Sequence, residues 1–387
     1  MGRHSKKRRV MRHNPAFKKS LVWGILIAAA VPGVLSTAVL YDHVRQSWDG
    51  LAADTAVLSA MYTVPDRAFE QLRERFAQPS DPQQPEQEQE KAQQPLIPPQ
   101  RQEEQPPPTK TQPPPEPVEI PEEYRGTVVE EDLAAAGSSL CFGSGRIKNA
   151  TSLSEQQVEE YLAQPQPFLL DRQGPQVLIM HTHATESFEP YDSEIYDTRH
   201  TWRSTDNSEN IVAAGEVMAQ AIRSHGIEVL HDDTQHDYPS YNGSYERSAE
   251  TVKEYLAKYP SIKVVLDVHR DAVQRDSTLV KPITQINGKK AAQMMIIAGC
   301  DDGTMEMPNW GKNLRFAAGI QDAIESRWQG LTRPIFFCYR KYNQDLTTGS
   351  LLLELGSHGN TLEQVLTTAQ LAGDAIGNYL AQECMAE

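Results

Sequence analysis

From Gln176 onward the chain alternates short apolar runs with stretches that place an apolar residue every third or fourth position. The runs "QVLIMHT", "IEVLHD", "IKVVLDVHRD", "AAQMMIIAG", "RPIFFCYR" and "GSLLLELGS" predict strands over 176–182, 227–232, 262–271, 291–299, 333–340 and 349–357. Between them, "NSENIVAAGEVMAQAIRSHG" sets Ile211, Val212, Val217, Met218 and Ile222 near helical spacing and stops at Gly226, where a C-cap would stand. Helices are likewise predicted over 245–260, closed by Pro260, over 311–328, and over 361–382 at the C-terminal end. Strand–helix alternation with continuously apolar strands predicts an α/β fold: a mostly parallel sheet covered by helices on both faces. The expected domain spans 124–387, with its core at about 165–385, and no internal repeat is visible.

Upstream the pattern changes. Residues 78–123 hold 14 of the 26 prolines, with Gln and Glu filling most gaps, and cannot bury a core. They read as an extended linker that can hold a domain on the order of 100 Å from its anchor. Residues 43–77 mix charge with apolar positions and read as a juxtamembrane segment. Leu21 to Tyr41 carry no charge, long enough to cross a bilayer core of about 30 Å, so 20–42 is expected to be an uncleaved transmembrane helix. The basic tail of residues 1–19 would remain cytoplasmic, placing the folded domain outside.

Charge narrows the class of partner. The formal net charge is −15 although the first 19 residues carry +8, so the remainder carries −23 and is a poor match to nucleic acid. Cys141, Cys300, Cys338 and Cys384 are widely spaced with no CxxC pair; they either form disulfides outside the membrane or are buried small hydrophobes, and the second reading is preferred.

In open α/β sheets ligands bind beyond the carboxyl ends of the strands. Three predicted strands end in titratable groups: His181, His183 and Glu186 after the first; Asp267, His269, Arg270 and Asp271 on the third; Glu354, then His358 and Asn360, on the last. Two histidines and a carboxylate with an open position form a catalytic zinc set. The expected ligands are His181, His269 and one carboxylate, with Glu186 the first candidate and Glu209 its rival. Glu354, inside "LLLEL", is the expected general acid/base, because burial raises a carboxyl pKa. His183 is open to a role as ligand, supporting group or substrate contact. Arg270 either pairs with Asp271 or clamps a substrate carboxylate. The segment "HDYPSYNGSYERS", with Tyr241 and Tyr245, is either a turn before a helix or a wall of the cleft. His225, His231 and His236 are read as structural.

The stretches "HTHATESF", "HDDTQHDYPSYNGSYERS", "VVLDVHRDA" and "LLLELGSHGNT" together resemble the stage II sporulation protein P family of endospore-forming bacteria, over about residues 165–385. That family is similar to zinc N-acetylmuramoyl-L-alanine amidases. The resemblance matches His181 and His269 to metal ligands and Glu354 to the catalytic glutamate, and leaves Glu186 and Glu209 both open. It implies a peptidoglycan hydrolase of the mother-cell membrane, facing the intermembrane space. The enzyme would cleave the N-acetylmuramic acid–L-alanine amide and peptide cross-links of septal wall during engulfment. The implied partners are stage II sporulation proteins D and M. Two other readings stand beside it: an inactive wall-binding scaffold, and a metal-dependent esterase or phosphatase on the same fold.

Overall fold

The computed structural model of the chain describes residues 119–138 and 140–386. The basic tail, the expected membrane span, the juxtamembrane segment and most of the linker lie outside them. Among the described residues no helix is long and apolar enough to cross a membrane.

The elements in chain order are β1 (Arg125–Glu131), β2 (Leu140–Phe142), β3 (Gly145–Asn149), α1 (Glu155–Leu162), β4 (Val177–Met180), β5 (Ile195–Asp197), α2 (Ile211–Arg223), β6 (Val229–His231) and α3 (Ser244–Lys258). They continue with β7 (Val264–Asp271), β8 (Gln274–Arg275), β9 (Thr278–Ile286), β10 (Lys289–Ala292), β11 (Met294–Gly299), α4 (Trp310–Arg327), β12 (Ile335–Cys338), β13 (Gly349–Ser357) and α5 (Leu362–Tyr379). Side-chain caps start several helices: Asn210 accepts from the Val212 amide, and Thr361 and Gln364 form a capping box.

The main sheet runs β2-β3-β12-β11-β13-β7-β4-β6. Its β13–β7, β7–β4, β4–β6, β3–β12 and β12–β11 pairs are parallel, while β2–β3 and β11–β13 are antiparallel. The fold is therefore α/β with a mixed sheet. One face carries α2, α4 and α5: Ile179, Leu266 and Leu353 from the sheet share a core with Met218, Ile222, Phe316 and Ala369. On the other face Leu178, Met180 and Val265 pack against Val252 of α3. Farther along that face Met295, Ile297 and Leu352 are covered by Tyr342 from a loop. Helices thus cover one face broadly and the other in part.

A second sheet, β10-β9-β1-β5 with β8 beside β9, has no counterpart among the predicted strands. Its members hide from a search for apolar runs. β9 carries Lys281 and Pro282 at buried positions, and β1 alternates buried Gly126 and Val128 with exposed neighbours.

Helices α2 and α5 pass close enough to exclude side chains. A Cβ on Gly373 would stand 2.8 Å from Ala221 Cβ and 2.9 Å from the Met218 carbonyl oxygen, and one on Gly377 would stand 2.9 Å from Ile222 Cα. Gly373→Val must push the helices apart, and overpacking of this kind costs about 1–3 kcal/mol. The denaturant midpoint should fall accordingly with far-UV circular dichroism unchanged; an unshifted midpoint would mean the two helices do not meet this closely.

Candidate metal centre

Register brings the chemistry together. Met180 of β4 pairs with Asp267 of β7, and His269 of β7 pairs with Glu354 of β13. Side chains alternate faces along a strand, and in-register parallel neighbours share one. Leu178, Met180, Val265, Asp267, His269, Leu352 and Glu354 therefore all belong to the α3 face. His181, in step with Val177 and Ile179, belongs to the α2 face.

After β4 the chain makes a turn in which the Glu186 amide donates to the His183 carbonyl at 3.2 Å. Residues three apart then lie on one side, and His183 and Glu186 converge on His269. Their ligand atoms all lie within 4.8 Å of one another, and all three residues are buried. His183 Nδ1 is 3.7 Å from Glu186 Oε1, and His269 Nδ1 is 3.5 Å from Glu186 Oε2. Both rings offer Nδ1 to the carboxylate and engage Nε2 elsewhere: His183 with Ser244 Oγ at 3.1 Å, His269 with Asp267 Oδ1 at 2.8 Å. The last is a close ion-pair contact, not an aligned hydrogen bond.

Electrostatics fix the charges of this group. Burial opposes ionisation of Glu186, but His183, His269 and Arg270 hold its carboxyl well below the ordinary carboxylate range. Burial also opposes a charged His269, yet Asp267 and then Glu186 raise its pKa well above that of an ordinary histidine. Opposite it, Glu354 is pushed up to about 8, first by burial and then by the Asp271 carboxylate. Glu354 Oε2 is buried without a hydrogen-bond partner, while Asp271 is itself paired with Arg333 Nη1 at 2.7 Å.

The donor set fits a small divalent cation. Two imidazole nitrogens and one carboxylate oxygen lie within 4.8 Å of one another, and the 3.7 and 3.5 Å His–Glu contacts go to the two different oxygens of Glu186. Tetrahedral zinc bonds of about 2.0–2.1 Å require ligand separations of a similar size.

The expected ligand His181 is not in this group. Its Nδ1 bonds the Val268 carbonyl at 2.7 Å, its Nε2 lies 2.9 Å from His231 Nε2, and burial pushes its pKa down to about 3. Gly215 of α2 makes room for that pair, since a Cβ there would stand 2.4 Å from His181 Nε2. The ring lies on the α2 side because strand alternation puts it there, and His183 stands in its place. Glu209 is exposed, hydrogen-bonded by Ser204 at 3.3 Å, so of the two rival carboxylates Glu186 is the one beside the histidines. Arg270, expected to clamp a substrate, is buried: its Nε donates to the Ser187 carbonyl and its Nη2 to the Trp202 carbonyl, while its amide donates to Glu186. It binds the chain's own loop.

The tyrosines do line the site. Tyr241 stacks on His183 with ring centroids 4.6 Å apart, and Tyr245 lies 5.4 Å from His183 and 6.5 Å from His269. Tyr342, missed in the sequence, stacks on Tyr245 at 5.3 Å. His358 packs edge-on against Trp202. Sequence reasoning named Asp267 among the strand-end acids but gave it no role, although a lone acid within "VVLDV" is a signal, because a buried carboxylate needs a partner.

A buried His–Glu–His set at the carboxyl end of parallel strands defines a candidate metal-binding α/β protein. The family model of stage II sporulation protein P matches residues 57–377, and the chain belongs to that family. Stage II sporulation protein P of Bacillus subtilis (strain 168) is 28% identical over 244 residues, covering 59% of this chain and 57% of that protein. The match thus spans less than two thirds of the relative's length. Among solved structures, the apo N-acetylmuramyl-L-alanine amidase Ami1 from Mycobacterium abscessus shows 13% identity and a TM-score of 0.31, covering 53% of this chain and 98% of its own. The CwlD amidase from Clostridioides difficile, in complex with the GerS lipoprotein, shows 13% identity and a TM-score of 0.32, covering 53% and 95%. Likenesses at this level say nothing about individual residues or the reaction.

The loop beside Glu186 contains a pH-sensitive contact. Trp202 Nε1 donates to Glu189 Oε1 at 2.5 Å, and burial raises the Glu189 pKa from 4.5 to about 7. The folded chain therefore binds a proton there that the unfolded chain releases above its own, lower pKa. Stability from this group is full below pH 4.5 and is lost as pH rises toward 7, by about 3 kcal/mol. Glu189→Gln should flatten that part of the stability–pH curve measured by urea unfolding, and an unchanged slope would assign the titration elsewhere.

Proposed function

We propose that the chain is a zinc-dependent peptidoglycan hydrolase, an N-acetylmuramoyl-L-alanine amidase that also cleaves peptide cross-links. Family membership supports the substrate, and the observation that carries the chemistry is the buried His183–Glu186–His269 group with Glu354 in register opposite His269. His183, Glu186 and His269 would hold the metal. The chemistry zinc supplies in such a set is carbonyl polarisation and a more acidic bound water.

The protein's own groups account for the rest. Glu354, its carboxyl pushed up to about 8, has an Oε2 unengaged by the protein: its ionised form can take a proton from the attacking water, and the acid so formed can pass that proton to the leaving amide nitrogen. Tyr241, 41% exposed and stacked on His183, offers an apolar face to an incoming glycopeptide. Arg270 and Arg203 hold the loop that bears Glu186: Arg203 Nη1 reaches Asp237 at 2.7 Å, and its Nη2 lies 3.8 Å from Glu186. A single membrane span at 20–42 with an extracytoplasmic domain, and stage II sporulation proteins D and M as partners, complete the reading. An anchored enzyme with a long linker suits an insoluble polymer.

The full chain, purified in detergent, should release stem peptides beginning with L-alanine from purified peptidoglycan, detected as new ends by mass spectrometry and abolished by a chelator. Glu354→Gln should retain zinc and lose at least about 100-fold in rate, the scale of a lost general acid/base. His183→Ala should lose bound zinc, whereas His181→Ala should keep it. Silence with added zinc and with stage II sporulation protein D would favour the scaffold reading, and a zinc-free His181→Ala protein would return His181 to the ligand set.

A further inference from the structure

Asp267 is 5% exposed, in the middle of a strand whose neighbours are Leu266 and Val268. A carboxylate at such a place is costly unless its oxygens are engaged. Both are. The Thr182 amide donates to Oδ1 at 2.8 Å and the Thr182 hydroxyl to Oδ2 at 2.7 Å. That hydroxyl also meets Ser248 Oγ of α3 at 2.8 Å. The end of β4 thus clamps the Asp267 carboxylate, and the carboxylate places Oδ1 2.8 Å from His269 Nε2.

A neutral imidazole carries its proton on one nitrogen only. Both His269 nitrogens approach a carboxylate, Nε2 that of Asp267 at 2.8 Å and Nδ1 that of Glu186 at 3.5 Å, and the closer contact takes the proton, which leaves the lone pair on the other. At His269 the other is Nδ1, the atom facing Glu186 at 3.5 Å. We propose that Asp267 is the positioning residue of the metal centre: held by Thr182, it fixes the His269 ring and keeps the proton on Nε2, so that Nδ1 is presented to the cation. The inference rests on the reading that His183, Glu186 and His269 hold a metal. It gives Thr182 a part as well, and accounts for the threonine between two histidines in "HTH": His181 bonds the Val268 carbonyl, Thr182 holds Asp267, and His183 enters the site. Backing carboxylates of this type set ligand orientation and basicity, and their loss weakens metal affinity by about 10–100-fold.

The test is zinc affinity of the full chain in detergent, by competition with a chromophoric chelator, for wild type, Asp267→Asn, Thr182→Val, His269→Ala and the double variant Asp267→Asn/His269→Ala. Asp267→Asn should bind zinc about 10–100-fold more weakly than wild type while its metal-free melting curve remains cooperative. Thr182→Val should weaken binding about fivefold, the scale of one lost hydrogen bond. His269→Ala and the double variant, which both lack a ligand, should lose bound zinc as His183→Ala does. A merely structural role for Asp267 predicts a lowered melting temperature with zinc affinity unchanged. A folded Asp267→Asn with zinc affinity within twofold of wild type would overturn the proposal and leave the metal reading intact. Wild type without zinc affinity would overturn both. If Asp267→Asn does not fold, Thr182→Val decides: wild-type affinity there sinks the proposal.

Discussion

The constraint on which the site depends is the alternation of side chains along β4 and β7, locked by the pairing of Met180 with Asp267. Alternation leaves no freedom in which residues can meet. Once Leu178 and Met180 pack against α3, Asp267, His269 and Glu354 must follow on that face, and Ile179 and His181 must turn to α2. A slip of one residue would exchange the two sets and send every polar group of the site into the helical core. The apolar packing of the sheet thus fixes which imidazoles can meet Glu186.

Glu186 is the electrostatic centre of what results. It receives two imidazoles, the Arg270 amide and the approach of Arg203, and both imidazoles and the carboxylate are buried. Asp267 and Glu186 together favour a proton on His269. Occupation by a cation would substitute for that proton, which couples metal affinity to pH in the direction of tighter binding as protons are removed. Asp271 does not join this group. It is neutralised by Arg333, and its remaining influence is to help keep the proton on Glu354.

Much of this was legible in the sequence. The strands from β4 onward, apart from the short or polar ones, and helices α2 to α5 stand where apolar runs and helical spacing put them. Three strand ends do gather imidazoles and carboxylates, and Glu186, His269 and Glu354 come together. The structure sets His183, not the expected His181, beside Glu186 and His269. Strand period alone does not say which face is which, and only the packing of Leu178 and Met180 decides it. The turn spacing of His183 and Glu186 was a usable signal, because three residues apart in a turn means one side. Arg270 misled for another reason. A guanidinium beside a site reads as a substrate clamp, but only the fold reveals the carbonyls of Ser187 and Trp202 that already engage it.

The second sheet, invisible as apolar runs, explains how the loop bearing Glu186 holds its shape. Lys281 of β9 is almost wholly buried, and its ammonium meets Asp192 at 2.5 Å and Glu130 of β1 at 3.6 Å. Asp192 begins the approach to β5, which pairs with β1, and the chain then returns through Trp202 to Arg203. From the other side, Ser357 Oγ at the end of β13 donates to the Val280 carbonyl of β9 at 2.7 Å. The small sheet is therefore tied both to the strand that carries Glu354 and to the loop whose Trp202 carbonyl receives Arg270. A charge network looks like an expensive way to hold a loop. It serves here because the 181–203 segment is crowded with polar groups that an apolar core could not satisfy, and each of them finds its partner only if that segment is held from both ends.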